Sequence, residues 1–143
     1  MIRPTTLLAI LLTIWVLTHS THGHAKTFTR CQLSKELTRY NFPRLLIPHW
    51  VCLIEHGSSR TTDKVTEHGN STSYGLFQIN SNEWCKKGRK GGNCNMKCED
   101  LLNEDLADDV RCAKRINDRV GFNAWPVYIT YCKDRRLPEL TRC

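Results

Sequence analysis

The sequence predicts a small α+β domain, with a helical lobe, a short antiparallel β lobe and a cleft between the two. Three observations support this class. Apolar residues recur with helical spacing near both ends of residues 26–143, a stretch rich in Ser, Thr, Gly and Asn occupies residues 58–73, and the cysteine count is an even eight. A cleft between two lobes is a usual place for a ligand.

The first segment, residues 1–25, has the pattern of a signal peptide. Arg3 supplies a positive charge, residues 7–17 are apolar apart from Thr13, and Gly23-His24-Ala25 fits a cleavage site between small residues. The apolar run is too short to span a bilayer core of roughly 30 Å. We therefore expect a secreted, extracellular protein whose mature domain comprises residues 26–143.

Two helices are predicted in the first third of the mature chain. Thr29 and Gln32 form a T-x-x-Q capping box, which opens a helix that extends to about Tyr40. Pro48 suits the first turn of a second helix, and the apolar residues that follow it would give that helix a mostly buried surface.

The remaining elements alternate between the two lobes. Residues 58–73 are typical of turns and short, half-exposed strands, and residues 74–79 are predicted as a buried strand that enters a loop. Apolar spacing predicts a third helix over residues 105–117 and a shorter one over residues 125–131. No internal repeat divides the chain, so we expect a single domain.

All eight cysteines lie in the mature domain. An even count in an exported chain indicates disulfides, whereas a zinc site would favour C-x2-C pairs, which are absent. The spacing alone does not select one pairing.

The formal charge is +7, or +6 once Arg3 is removed. A basic secreted protein is attracted to anionic surfaces such as bacterial walls. The chain contains no nucleic-acid-binding motif, so a nucleic-acid partner is not expected.

Four strings carry a resemblance to a known family: Trp50-Val51-Cys52, residues 71–81, residues 112–116 and Asn123-Ala124-Trp125. Together with the order and gaps of the cysteines, they resemble the C-type lysozyme family, which includes α-lactalbumin. The resemblance covers essentially all of the mature chain. It implies a lysozyme-like fold, and the implied disulfides are Cys31–Cys143, Cys52–Cys132, Cys85–Cys98 and Cys94–Cys112.

The resemblance also identifies where the catalytic carboxyls should stand. Retaining cleavage of a β-1,4 bond between N-acetylated sugars, for which lysozyme is the type case, needs two carboxyl groups roughly 5–5.5 Å apart. The acid position, five residues after the W-V-C cysteine, is Gly57, and the second position, directly before Tyr-Gly, is Ser73. Glu55 stands about 200° around the helix from the cleft side, and His56 is expected to project away from the cleft. We therefore predict that muramidase hydrolysis is lost.

Family sugar-binding positions are retained in part. The implied substrate-binding residues are Gln78, Asn80, Trp84, Ala124 and Trp125. Glu83 replaces an aromatic residue at the rim of the cleft. The tryptophans could instead persist only for packing, and the sequence leaves both interpretations open.

An acidic loop before the third helix resembles the calcium loop of α-lactalbumin and of calcium-binding lysozymes. The implied metal ligands are Asp100, Asn103, Asp105, Asp108 and Asp109. Carboxylate, amide and carbonyl oxygens are the ligands that Ca²⁺ takes. The alternative is that these acids only complement the N-terminus of a helix. No cofactor is required by the resemblance, and Ca²⁺ is the one candidate.

Asn70-Ser71-Thr72 is an N-x-T sequon in a predicted surface turn, which makes Asn70 a candidate for glycosylation.

Three functions are compatible with the sequence. The favoured one is a non-catalytic, monomeric protein that binds β-1,4-linked amino-sugar glycans, such as peptidoglycan or chitin, or the bacterial cell wall. The alternatives are an active, antibacterial lysozyme and a protein-interaction module of the α-lactalbumin kind.

Overall fold

A computed structural model describes residues 25–143 of the chain. The predicted signal peptide, apart from Ala25, lies outside the described residues. Within the described range, no helix is both long and apolar enough to cross a membrane.

Helices form the larger lobe of the described domain. The α-helices are α1 (Arg30–Arg39), α2 (Ile47–Ser58), α3 (Ala107–Val120) and α4 (Pro126–Tyr131). Three short 3-10 helices span Arg44–Leu46, Cys98–Leu102 and Phe122–Ala124. The four predicted α-helices are all present, although the third begins two residues later and ends three residues later than predicted.

The N-terminus of α1 has the predicted capping box. The backbone N–H of Gln32 donates to Oγ1 of Thr29 at 3.2 Å, and the backbone N–H of Thr29 donates to Oε1 of Gln32 at 2.9 Å. Leu33 and Leu37 are buried on the inner face of the helix. The capping prediction is therefore confirmed, and it fixes where the first helix starts.

The smaller lobe is an antiparallel sheet in the order β1–β2–β3. The strands are β1 (Val65–His68), β2 (Ser71–Tyr74) and β3 (Ile79–Asn80). Ser73 in the middle strand lies opposite Thr66 on one side and Asn80 on the other. The helices, this sheet and the disulfides confirm the predicted α+β class.

The prediction of a buried strand over residues 74–79 that enters a loop was wrong for the middle of this segment, because one strand ends at Tyr74, the chain turns over residues 75–78, and the next strand begins at Ile79. Gly75 has φ +74°, and a Cβ there would overlap the carbonyl oxygen of Leu101. Gln78 also has a positive φ, of +51°. The turn therefore depends on a glycine at a close approach of two backbone segments, which the apolar run does not reveal.

Helix α2 runs through the core. Its residues Trp50, Val51, Leu53 and Ile54 are at most 1% exposed, and the Trp50 ring lies edge-on to Phe77 at 5.7 Å. Burial on several sides fixes the rotation of α2, and this rotation determines which residues of its last turn reach the cleft.

The four disulfides are those that the resemblance implies: Cys31–Cys143, Cys52–Cys132, Cys85–Cys98 and Cys94–Cys112. The second ties α2 to the residue that follows α4. The last two tie the loop after β3 to the 3-10 helix that follows it and to α3. The elements around the cleft are thus covalently joined.

Candidate functional site

A cleft of about 560 Å³ lies between the two lobes. The last turn of α2, the sheet, the loop after β3, α3 and the start of α4 all contribute lining residues. All five residues of the implied sugar-binding set line this cleft: Gln78, Asn80, Trp84, Ala124 and Trp125. The structure thus brings the set together, and its role in binding sugars stays a prediction.

Gly57 and Ser73 both line the same cleft, so the two implied catalytic positions face one space. Ser73 is 6% exposed, and Nδ2 of Asn80 donates to its Oγ over a long 3.5 Å. Of the described residues that line the cleft, Glu83 alone carries a carboxyl group. Glu83 is exposed and accepts a hydrogen bond from Nδ2 of Asn93 at 3.4 Å.

Gln78 stands beside Gly57. A Cβ built on Gly57 would lie 3.2 Å from Cγ of Gln78 and 3.7 Å from Cγ1 of Val127. Any side chain at position 57 would therefore be in close contact with the side chain of Gln78.

The Gln78 amide is committed to the turn that carries it. Its Nε2 donates to the carbonyls of Gly75 at 2.9 Å and Lys64 at 3.1 Å, and its Oε1 accepts from Oγ1 of Thr66 at 2.7 Å. Both amide hydrogens are used, so this side chain has no donor left for a sugar. Its role in holding the turn against β1 could not be read from the sequence.

Asn80 also belongs to a local network. Its Nδ2 donates to Oγ of Ser71 at 2.9 Å, and its Oδ1 accepts from the backbone N–H of Asn82 at 2.9 Å. Asn80 is half-buried, and the network orders the wall of the cleft that the sheet provides.

The two cleft tryptophans are mostly buried. Trp84 is 5% exposed and Trp125 is 4% exposed. The indole Nε1 of Trp125 donates to the carbonyl of Phe77 at 2.7 Å, and its ring lies edge-on to Trp50 at 5.4 Å. Trp125 thus joins the two lobes, and only a small part of each indole is available to a ligand.

Glu55 lies away from the cleft. Its Oε1 accepts from Nε of Arg30 at 2.8 Å and from Nη1 of Arg60 at 2.9 Å. Burial alone would raise its pKa, but the two arginines hold the pKa of Glu55 below its ordinary value. Glu55 is therefore an ionised structural group rather than a substitute for the missing acid.

His56 is among the residues that line the cleft, but its ring stacks on Tyr131 of α4, with 4.7 Å between centroids and 5° between planes. Tyr131 is not among the described residues that line the cleft, so the imidazole is directed to one side of it, as expected. Ile116 of α3 and His68 of β1 line the cleft as well. Sequence spacing placed Ile116 on the inner face of its helix, which gave no sign of this second role.

The acidic loop is organised by its own hydrogen bonds. Nδ2 of Asn103 donates to the carbonyl of Asp100 at 2.7 Å, and Oδ1 of Asn103 accepts from the backbone N–H of Asp105 at 2.8 Å. Within residues 25–143, no three acidic, histidine or cysteine side chains converge in a way that could hold a metal ion. The carbonyl of Asp100, which the resemblance implies as a calcium ligand, accepts the hydrogen bond from the Asn103 amide instead.

Asp109 is the unusual member of this loop region. It is 0% exposed, and neither carboxyl oxygen has a hydrogen-bond partner among the described residues. Burial, with the neighbouring charge of Asp108 as a second cause, raises the pKa of Asp109 to about 9. A buried carboxyl group without a partner is stabilised by binding either a proton or a cation. Asp109 is therefore a better candidate metal ligand than Asn103, whose amide is already hydrogen-bonded.

Comparison with known proteins agrees with the fold. Residues 26–143 match the model of the C-type lysozyme/alpha-lactalbumin family. The chain is 47% identical to a lysozyme of Bombyx mori over 123 residues, which cover 85% of this chain and 89% of the relative. It is 36% identical to alpha-lactalbumin of Bos taurus over 129 residues, 87% of this chain and 89% of the relative. The structure of a calcium-binding lysozyme from equine milk aligns with a TM-score of 0.70 at 35% identity, over 78% of this chain and 92% of that chain. The chain therefore belongs to the C-type lysozyme/alpha-lactalbumin family.

Proposed function

We propose that this protein is an extracellular, non-catalytic member of its family that binds β-1,4-linked N-acetylated amino-sugar glycans, such as peptidoglycan or chitin. One observation carries the proposal. The cleft holds the implied sugar-binding residues, yet of the described residues that line it only Glu83 has a carboxyl group.

Hydrolysis with retention needs a protonated carboxyl to donate to the leaving oxygen and an ionised one on the other side of the sugar. General acid catalysis alone contributes roughly 10²–10⁴-fold in rate. The exposed Glu83 could fill at most one of the two roles. Neither Gly57 nor Ser73 can supply the other charge, because a serine hydroxyl carries none at neutral pH.

Binding of a sugar does not need catalytic carboxyl groups; it needs a pocket with apolar surface and a few polar groups, which the cleft provides. A pocket of a few hundred cubic ångströms with a mainly apolar lining and a few polar groups is typical of small-ligand sites. Trp84 and Trp125 supply apolar surface, and the ordered amide of Asn80 lines the same cleft. Because the Gln78 amide, the Trp125 indole N–H and both Nδ2 hydrogens of Asn80 are already committed, backbone groups are the expected donors to an acetamide.

Two assays on the purified protein test the proposal together. We expect no lysis of bacterial cell walls, and we expect tryptophan fluorescence to change as a chitin oligomer is added. Trp84→Leu should weaken the response, whereas Leu45→Ala, at a residue 89% exposed and outside the cleft, should leave it unchanged. Lysis at the rate of an ordinary lysozyme would contradict the loss of hydrolysis. Absence of any response at millimolar oligomer would contradict sugar binding and favour a protein partner.

Restoring the carboxyls gives a matched comparison. Gly57→Glu combined with Ser73→Asp should gain measurable lysis if the cleft still orients the sugar. Either single variant should gain none, because each leaves only one of the two implied catalytic carboxyls.

Calcium binding is a separate proposal for the acidic loop. It is supported by the unpartnered oxygens of Asp109 and by the likeness to a calcium-binding lysozyme. The ligands would be the carbonyls of Asp100 and Asp105 and the side chains of Asn103, Asp108 and Asp109. A bound Ca²⁺ would balance the negative charge of the carboxylates in this set. We expect a higher melting temperature in excess calcium than in chelator, and equal melting temperatures would refute a meaningful site.

A further inference from the structure

We propose that Asn70 carries an N-linked glycan and that the first sugars of this glycan cover one rim of the cleft. Asn70-Ser71-Thr72 is an N-x-T sequon. The domain also contains four disulfides, which form in the oxidising compartments through which exported proteins pass. N-linked glycosylation takes place on that same route, so the chain meets the modification machinery.

The fold presents Asn70 at a projecting turn. Gly69 and Asn70 form the connection between β1 and β2, and Asn70 is exposed. In the part of the chain that the structure describes, the Asn70 amide has no hydrogen-bond partner. A Cβ built on Gly69, which has φ +58°, would meet no atom within 4 Å. The apex of the hairpin therefore faces open space, and a bulky oligosaccharide fits there without displacing any residue.

The modification joins Nδ2 of Asn70 to C1 of an N-acetylglucosamine. The donor is an oligosaccharide linked to a lipid through a diphosphate. The C1–O bond to the diphosphate breaks, the lipid diphosphate leaves with the bonding electrons, and an N–C1 bond forms. The amide nitrogen loses one proton, so the product is a substituted amide without charge.

The position of the hairpin places the sugar at the cleft. Ser71, directly after Asn70, and His68, two residues before it, both line the cleft. Oγ of Ser71 accepts the hydrogen bond from Nδ2 of Asn80, so the hairpin tip lies beside a residue of the implied sugar-binding set. The first two sugars of an N-glycan are N-acetylated and β-1,4-linked. They therefore belong to the same chemical class as the proposed ligand and compete for this rim, a consequence that rests on the proposed function.

The modification itself is tested by the mass of the protein secreted from a eukaryotic host. We expect a heavier wild-type product that an N-glycan-cleaving amidase converts to the mass of the bare chain. Asn70→Gln and Thr72→Val should abolish the added mass, whereas Thr72→Ser, which keeps the sequon, should retain it. Valine preserves the β-branched shape of threonine in β2, so loss of the glycan cannot be attributed to a damaged strand. A secreted wild-type protein of unmodified mass would overturn the proposal.

Two readouts test whether the glycan covers the rim. Removing the glycan should tighten binding of a long chitin oligomer by about threefold to tenfold, a difference of roughly 0.7–1.4 kcal/mol. Acylation of the His68 imidazole should be slower in the glycosylated protein than in Asn70→Gln, with His49, which is part-buried and outside the cleft, as internal reference.

The outcomes separate the two proposals. Equal oligomer affinity or equal acylation rates would overturn the covering of the rim. If neither form binds the oligomer, the proposed function fails, while the mass and the acylation rate still decide the glycan proposal.

Discussion

Replacing Asp109 with asparagine removes the only carboxyl group that is buried in the described core, and we expect the variant to be more stable than the wild type at neutral pH. Asp109 is 0% exposed, and its oxygens have no hydrogen-bond partner within residues 25–143. Burial raises its pKa from 3.8 to about 9. Asparagine keeps the shape of the side chain and has no group that ionises in this range.

The sign of the effect follows from proton binding. The unfolded chain loses the Asp109 proton near pH 3.8, whereas the folded chain keeps it up to about pH 9. Between these values the folded state binds more protons, so the free energy of unfolding decreases as pH rises. The contribution is fully present below the unfolded pKa, and it falls by about 1.4 kcal/mol for each pH unit until the folded pKa is reached. At pH 7 the loss is on the order of 4 kcal/mol.

Urea unfolding in the presence of a chelator measures this directly. We expect the free energy of unfolding of the wild type to fall, relative to Asp109→Asn, from about pH 5 to about pH 8. Asp108→Asn is the matched control, because it removes a neighbouring charge and leaves the buried carboxyl in place. Its profile should keep most of the wild-type slope. Parallel profiles for the wild type and Asp109→Asn would refute the reasoning and would indicate that Asp109 is ionised and paired in the folded protein.

Three further substitutions test other parts of the fold by urea unfolding. Thr29→Ala should destabilise the protein by about 1 kcal/mol through loss of the N-cap, while Thr29→Ser should be nearly neutral, and an equal cost for both would contradict a capping role. Glu55→Gln should destabilise the protein at neutral pH. Because the pKa of Glu55 is lowered in the folded state, that difference should shrink as pH falls through the folded pKa; a pH-independent difference would argue against an ionic contribution. Trp125→Phe should cost at least about 1–3 kcal/mol, because the buried carbonyl of Phe77 loses its donor. An unchanged stability would show that another donor reaches this carbonyl.

Local signals determined what could be predicted about the helices. Thr29 and Gln32 are three residues apart and satisfy each other's backbone groups, so the start of α1 follows from adjacent residues alone. Pro48 in the first turn of α2 and the apolar spacing of α3 are equally local. The implied disulfides, in contrast, came from the family resemblance, because the cysteine spacing was compatible with many pairings.

The features that sequence reasoning missed depend on contacts between distant segments. The turn requires glycine at position 75 because the Leu101 carbonyl lies where a side chain would be, and the two residues are 26 positions apart. The ring of His56 stacks on Tyr131, a contact between α2 and α4 that the spacing of neither helix predicts. The amide of Gln78 holds its own turn through Lys64 and Thr66, so a residue implied to bind sugars is first a structural one. Neither helical nor strand periodicity contains this information.

Gly57 and Gln78 show how the lost acid and the retained cleft are linked. Glycine inside a helix is less stable than alanine by roughly 0.5–1 kcal/mol, so Gly57→Ala should gain up to that amount. The new Cβ would lie 3.2 Å from Cγ of Gln78, which must move by a few tenths of an ångström although three hydrogen bonds hold its amide. We expect a gain in the free energy of unfolding that is smaller than the helix preference alone would give.

Gly57→Ala combined with Gln78→Ala should remove the close contact, and the alanine at position 57 should then give its full gain. If Gly57→Ala is instead destabilising in the wild-type background and stabilising in the Gln78→Ala background, Gln78 is fixed in place. If Gly57→Glu with Ser73→Asp then fails to restore lysis, the reason would be that the cleft is packed around glycine at position 57. That failure would not depend on how tightly the cleft binds sugars.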